Sequence, residues 1–330
     1  MIWLTWRQFR VRAIVAVAAL AALATYMIIL GVRSRTDYPS MVTGCDPAEC
    51  TVTRHEFTNA YLGHFTLLSM LLLAVPLLIG IFWGAPLIAS ELESRTDRLV
   101  WNQSVTRTRW LAVKLAIVGL AAVVTAGLLS LLLTWSASRF DQYWGTRFTA
   151  TVFGARNLVP AGHTLVAFVL GTVLGLVLRR TLTAMAVTAA ALVVLQVAVP
   201  VVIRPHLMSP VTTTVRFDGD ALAHADGFGI GPGGARIENY NLPGSWAMSS
   251  PNQVVNADGS AATHEQLQPC MAQGPGKADG CLGTLNLHFT YTYQPGSRYW
   301  AFQWIELSGY LVLSVLVAGF GFWWLRRRPS

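Results

Sequence analysis

Hydrophobic and polar positions in this chain alternate in long blocks, not in single steps. Six apolar stretches, residues 13–31, 64–89, 111–135, 163–178, 182–203 and 304–325, are separated by segments that hold nearly all of the charge. A helix rises about 1.5 Å per residue, so blocks of roughly 16 to 26 residues reach, or nearly reach, across a ~30 Å hydrocarbon core. The pattern predicts an all-α polytopic membrane protein with six transmembrane helices.

Between the fifth and sixth blocks the composition changes. Residues 204–302 are polar and rich in Gly, Pro and Asn, and only 285–293, Leu-Asn-Leu-His-Phe-Thr-Tyr-Thr-Tyr, alternate in the manner of a strand. The expected organisation is a transmembrane domain at 1–203, a small mixed α/β domain at 204–302, and a sixth helix with a basic tail at 303–330. Within the first part, residues 2–12 place Trp3, Trp6 and Phe9 on one helical face and Arg7, Arg10 and Arg12 on another. That predicts an interfacial helix lying along the inner leaflet, compatible with a plain basic flank. The Ala-rich run after it resembles a signal peptide, but it continues through Tyr26-Met27-Ile28-Ile29-Leu30, so an uncleaved first helix is expected. Pro76 and Pro86 predict kinks in the second helix. Phe140, Tyr143, Trp144 and Phe148, in the segment 136–161, suit an interfacial belt. Gly171 and Gly175 form a small-xxx-small pair that would let two helix backbones approach.

Charge supplies the orientation. Charged residues are 12% of the chain and hydrophobic ones 53%, against about 25% charged in ordinary soluble domains. With the N-terminus in the cytoplasm and six crossings, the inside segments collect Arg7, Arg10, Arg12, Arg95, Arg98, Arg107, Arg109, Lys114, Arg179, Arg180, Arg326, Arg327 and Arg328. Their density is about four times that of the outside segments, which predicts both termini in the cytoplasm. The formal charge of +8 is thereby read as topology, not as a nucleic-acid footprint. Cys45, Cys50, Cys270 and Cys281 then all lie outside, where disulfides persist. Four cysteines allow three pairings; closeness in sequence favours Cys45–Cys50 and Cys270–Cys281. Free thiols or zinc are the alternatives, though neither pair has Cys-x-x-Cys spacing.

Catalytic motifs are missing. There is no Gly-x-x-x-x-Gly-Lys-[Ser/Thr] phosphate loop, no His-Glu-x-x-His and no Gly-x-Ser-x-Gly. The chain is therefore not expected to be an enzyme or to hold a cofactor or metal of its own. The helix cores read as almost empty of ionisable groups, which argues against ion-coupled transport. The longest inside segment, 91–110, is different. It mixes Glu91, Glu93 and Asp97 with Arg95, Arg98, Arg107 and Arg109 around Trp101, and reaches Lys114. Carboxylates among the arginines suit a docking surface for another protein, or a helical hairpin balancing its own charges.

This segment resembles the cytoplasmic coupling segment of type-2 ABC transporter permeases of the actinobacterial exporter kind. The matching residues are Glu91, Arg95-Thr96-Asp97-Arg98-Leu99, Trp101-Asn102-Gln103-Ser104-Val105-Thr106-Arg107-Thr108-Arg109-Trp110 and Lys114. The opening Trp3-Leu4-Thr5-Trp6-Arg7-Gln8-Phe9-Arg10 and the later Tyr293-Gln294-Pro295-Gly296-Ser297-Arg298-Tyr299-Trp300 with Phe302-Gln303-Trp304-Ile305-Glu306 are similar to the same group. The resemblance implies the membrane-spanning subunit of an ATP-driven exporter in a bacterial plasma membrane. It also implies pairing with a second permease copy, or a related permease, and with a separate ABC ATPase that holds ATP and Mg. Residues 204–302 are longer than the outside loops usual in such permeases. An amphipathic or lipid-like cargo is expected from the apolar interior. The alternative from another class is a non-transporting receptor or assembly factor whose outside domain binds a partner.

Overall fold

The computed structural model describes residues 2–44, 50–94, 106–144, 147–273 and 277–327; the side chains of 2–17, 50–51, 143–144 and 277–279 lie outside that description. In chain order the helices are α1 (Ile2–Tyr38), α2 (Cys50–Ile79), α3 (Ala85–Glu93), α4 (Arg107–Trp144), α5 (Ala150–Ala155), α6 (Val159–Leu178), α7 (Thr181–Ala198), α8 (Gly219–Ala223), α9 (His264–Met271), α10 (Lys277–Thr284) and α11 (Tyr299–Arg327). Two compact units result. One comprises Met1–Trp144, Ala150–Pro205 and Phe302–Ser330, the other Gly145–Thr149 and His206–Ala301.

The first unit is the helical one. Six helical segments are long and apolar enough to cross a membrane: Ala18–Thr43, Val52–Glu93, Arg107–Gln142, Val159–Leu178, Thr181–His206 and Gly296–Arg327. They coincide with the six apolar blocks but run past them. The segment 32–63, between the first two apolar blocks, is mostly helix, because α1 extends to Tyr38 and a π-helical turn (Pro39–Thr43) and α2 begins at Cys50. Adding a residue to an existing helix costs little, and here the polar side chains find partners across the seam. Arg35 donates to the Gly31 carbonyl (3.0 Å), Ser138 Oγ (2.9 Å) and the Trp135 carbonyl. The Tyr61 hydroxyl donates to Asp37 (2.5 Å). Phe140, expected in the interfacial belt, is instead buried and packs on Phe57 and Phe65. The extra turns of α4 carry it into the core formed by Met27, Leu68 and Leu133.

Helix α6 is central. Sixty-seven per cent of its apolar window is buried (67%), against 17% for Thr181–His206 and 22% for Gly296–Arg327. A helix apolar on every side has no polar face to give to water, so it fills the middle of the bundle. Its contact with the second span explains the glycines. Pro76 lies inside α2, Pro86 in the first turn of α3, and between them the chain widens into a π-helical turn, Gly80–Gly84. A Cβ on Gly175 would lie 2.5 Å from the Ala85 carbonyl oxygen, and one on Gly84 2.7 Å from that of Phe168. The small-xxx-small pair therefore packs backbone against backbone at the kink. On the far side of α6, α11 presents one buried stripe: Phe302, Gln303, Glu306, Tyr310, Ser314, Gly321 and Leu325. Its other face, with Val312, Val315 and Leu316, is exposed.

The second unit is mixed α/β. Strands β1 (Val211–Arg216), β2 (Gly227–Gly231), β3 (Gly234–Glu238), β4 (Trp246–Ala247), β5 (Asn252–Val255) and β6 (His288–Gln294) form an antiparallel sheet in the order β1-β6-β5-β3-β2, with β4 also on β6. β6 is the strand whose alternation was visible in sequence, and it turns Phe289 and Tyr291 into a core with Phe217, Ile237, Tyr240, Val254 and Leu267. Burial pushes the Tyr240 and Tyr291 phenols above the usual tyrosine range. The structure bonds Cys270 of α9 to Cys281 of α10, their Cα atoms 5.3 Å apart. Cys45 lies outside the described residues, as does the Cys50 side chain.

Candidate coupling end of the helix bundle

Four chain segments meet at one end of the first unit: the last turn of α3, the first turns of α4, the α6–α7 turn and the last turn of α11. Apolar residues hold them together, since Ile88, Trp110, Leu111, Leu176 and Leu325 form one buried cluster. Charged groups tie the rim. Glu91 and Lys114 form an ion pair at 2.5 Å, linking α3 to α4. The same Lys114 ammonium donates to the Leu87 carbonyl (3.4 Å) and sits 4.5 Å from the Trp110 ring centroid. Glu93 accepts from the Thr181 backbone N–H (3.0 Å) and hydroxyl (2.7 Å). It thereby supplies to α7, from another helix, the oxygen that an N-cap residue usually provides.

That cap depends on a very short link. Arg179 adopts a left-handed conformation (φ 54°) to end α6, and Arg180 is extended before α7 begins. Thr106, just before α4, and Arg107 and Thr108 in its first turn line an open cleft of 480 Å³ with Leu325 and Arg326 from α11. Arg109 is exposed beside it. Of the basic residues that the sequence assigned to the inside, Arg107, Arg109, Lys114, Arg179, Arg180 and Arg326 belong to this end, mixed with Glu91 and Glu93. The arrangement joins helices mechanically and offers exposed charge. Among the described residues no cluster of His, Cys, Asp and Glu could hold a metal ion.

The structure brings Glu91, Glu93, Arg107 and Arg109 to this end, and gives the two carboxylates positioning contacts within the chain. Arg95, Asp97, Arg98 and Trp101 lie outside the described residues. So do the side chains of Trp3, Trp6, Arg7, Phe9 and Arg10, whose backbone is part of α1. α1 runs unbroken from Ile2 to Tyr38, so residues 2–12 are helical and continuous with the first span.

The helix cores read as almost empty of ionisable groups, and the exceptions include two buried ion pairs near the ends of the spans. Arg204 and Glu306 form a buried pair, Nε to Oε1 2.5 Å, with side chains 3% and 2% exposed. A second hydrogen bond runs from the Arg204 guanidinium to Oε2 (3.3 Å), and the guanidinium stacks 4.1 Å from the Phe153 ring centroid. Arg156, 2% exposed, pairs with Asp141 (3.2 Å) and reaches Ser69 (3.3 Å). The Gln303 side chain accepts from the backbone N–H groups of Leu158 and Val159, capping α6. Arg204 was missed because it stands at the first polar position after an apolar block and reads as a loop residue. A useful signal was present: Glu306 is the one carboxylate inside the last apolar block, and such a group in a membrane needs a partner.

Six apolar crossings, a core helix capped by its neighbours and a charged, cross-tied end define a multi-pass membrane protein. Residues 17–204, more than half of the chain, match the family described as ABC-2 membrane transporter related, and the chain belongs to that family. ABC-2 permeases are the membrane components of transporters, are not themselves catalytic, and generally work with an ABC ATPase. No curated protein and no solved structure matches the chain.

Proposed function

We propose that this chain is the membrane-spanning subunit of an ATP-driven exporter, with the 91–110 segment receiving the stroke of a separate ABC ATPase from the cytoplasm. The supporting observation is the way the end of α3 is fastened. Glu91 holds it to α4, Glu93 holds it to α7, and Trp110 seats the start of α4 in the cluster with Leu176 and Leu325. A force applied to the segment between α3 and α4 reaches four helices at once. Exposed Arg109, with Arg95, Asp97, Arg98, Trp101 and Arg107, is the surface assigned to the ATPase, and charge complementarity would set its register. A second permease copy, both termini in the cytoplasm of a bacterial cell, and an amphipathic or lipid-like cargo moved outward complete the reading.

The test uses the permease reconstituted with its ATPase in lipid vesicles. Arg109→Glu and Arg98→Glu are expected to abolish the stimulation of ATP hydrolysis by the permease, while membrane insertion and thermal unfolding stay as in the native chain. Arg109 is chosen because it is exposed, so charge reversal there leaves the packing alone. Undiminished stimulation in both variants would sink the coupling assignment. A receptor or assembly factor would bring down no ATPase from its native membrane.

A further inference from the structure

One buried polar atom in the membrane unit has no use in the coupling scheme. His163, on α6, is 4% exposed, and its Nε2 is buried without a hydrogen-bond partner among the described residues. Its ring lies flat on Tyr310 of α11, centroids 5.3 Å apart and planes 9° from parallel. Gly162 makes this approach possible, since a Cβ there would come within 2.9 Å of Leu307 and 3.2 Å of Tyr310. Tyr310 follows Glu306 by one helical turn on the same buried stripe, and Glu306 is held by Arg204. A phenylalanine at 163 would stack as well and leave nothing unsatisfied. A buried polar group without a partner is costly, so it calls for a reason.

The surroundings narrow that reason. Residues 65–90 of the second span, 115–138 of α4 and 182–203 of the fifth span contain no Asp, Glu, Lys, Arg or His, and the rest of α6 contains none either. α5 contributes none, and Arg156 after it is committed to Asp141. Among the described residues the titratable group in contact with His163 is therefore Tyr310, with Glu306 one turn away from Tyr310 along α11 and held by Arg204.

We propose that His163 is a proton-binding site that controls the seam between α6 and α11. In its neutral form the imidazole is an uncharged plate between two apolar helices, and the seam is closed. A proton taken from water forms an N–H bond at Nε2 and leaves a full positive charge at a buried position. The nearest carboxylate, Glu306, is shared with Arg204, so two cations then compete for one anion. The competition is relieved by parting α11 from α6, which admits water or frees Glu306. No oxidant or co-reactant is needed, and the charge change is that of the proton alone. Cargo passage would thereby gain an input from pH that is separate from ATP. The site stands on the α6–α11 contact and holds whether or not the coupling reading does.

The experiment uses the full chain in lipid nanodiscs without ATPase. Ring-¹⁵N histidine spectra are recorded from about pH 8 to about pH 4, bracketing the free imidazole value of about 6.5, and His163→Gln identifies the His163 signal among the seven histidines. In parallel, spin labels at Leu71→Cys and Val312→Cys, both exposed, report the separation of α11 from the α2 side of α6. The expected result is a His163 titration accompanied by a label shift of about 2 Å or more, the size of an interfacial helix movement. The shift should vanish in His163→Phe, which keeps the stack, and survive in Tyr310→Phe. His163→Gln serves for His163→Phe if the latter does not fold. A His163 signal that stays neutral to pH 4, distances that ignore its titration, or an unchanged shift in His163→Phe would each overturn the proposal.

Discussion

Glu306→Gln is expected to lower the stability of the membrane unit by about 3–5 kcal/mol, the cost of leaving one member of a buried ion pair without its counter-charge. The Arg204 guanidinium is 3% exposed and has two hydrogen bonds to this carboxylate, so an amide at 306 strands a full charge beside Phe153. Net stabilities of about 5–15 kcal/mol leave little room for such a loss. In the double variant Arg204→Met, Glu306→Leu both charges go and the volume is kept, so most of the loss should be recovered. Thermal unfolding of the purified protein, followed by tryptophan fluorescence, distinguishes the outcomes. A double variant as unstable as Glu306→Gln would show that the two residues do not act as a pair.

The contrast between this pair and the rest of the bundle explains what could be read from sequence. The number and position of the spans follow from long apolar blocks, because only helices of that length satisfy their backbone inside a bilayer. The concentration of arginines at one end of the bundle was equally legible, since Arg179 and Arg180 sit between two apolar blocks. Gly171 and Gly175 were visible as a pair, but not their partner, because the π-helical turn at Gly80–Gly84 has no sequence pattern of its own beyond its two flanking prolines. Tertiary pairing was the hidden layer. Glu93 and Thr181 are 88 residues apart and Arg204 and Glu306 are 102 apart, and no local periodicity links such positions. Glu91 and Glu93 read as surface for a partner, whereas each has a specific task within the chain. Phe140 read as a belt residue because helix overshoot past the apolar block cannot be seen in hydropathy alone. In the second unit only β6 was readable. Its neighbours are strands of two to six residues broken by Gly, Pro and Asn, and β2, Gly-Phe-Gly-Ile-Gly, has too few side chains to show an alternation.

The second large effect is expected at the crossing of α6 with the kinked second span. At Gly171 an added Cβ would collide with the Gly80 carbonyl oxygen and lie 2.9 Å from the Ala85 nitrogen; at Gly175 it would lie 2.5 Å from the Ala85 oxygen and 3.3 Å from the Ala89 nitrogen. All of these are backbone atoms, which cannot rotate aside, so the helices themselves must part. Gly175→Ala is expected to cost about 1–3 kcal/mol and Gly171→Leu more, as overpacking of a tight contact does. Gly309→Ala and Gly319→Ala, in α11 where nothing lies within 4 Å of the new Cβ, should be neutral or stabilising by up to about 1 kcal/mol, because Gly is the poorer helix former. Unfolding curves of the four variants give the comparison directly. The crossing also bears on the proposed stroke, since α3 is the lever and α6 the surface it moves against. Backbone contact without side chains lets two helices slide with few rotamers to rearrange. Gly175→Ala should therefore weaken ATPase stimulation even under conditions where the folded protein is fully recovered. If its unfolding curve shifts but stimulation is untouched, the glycines serve packing alone and α3 moves with α6 as one body.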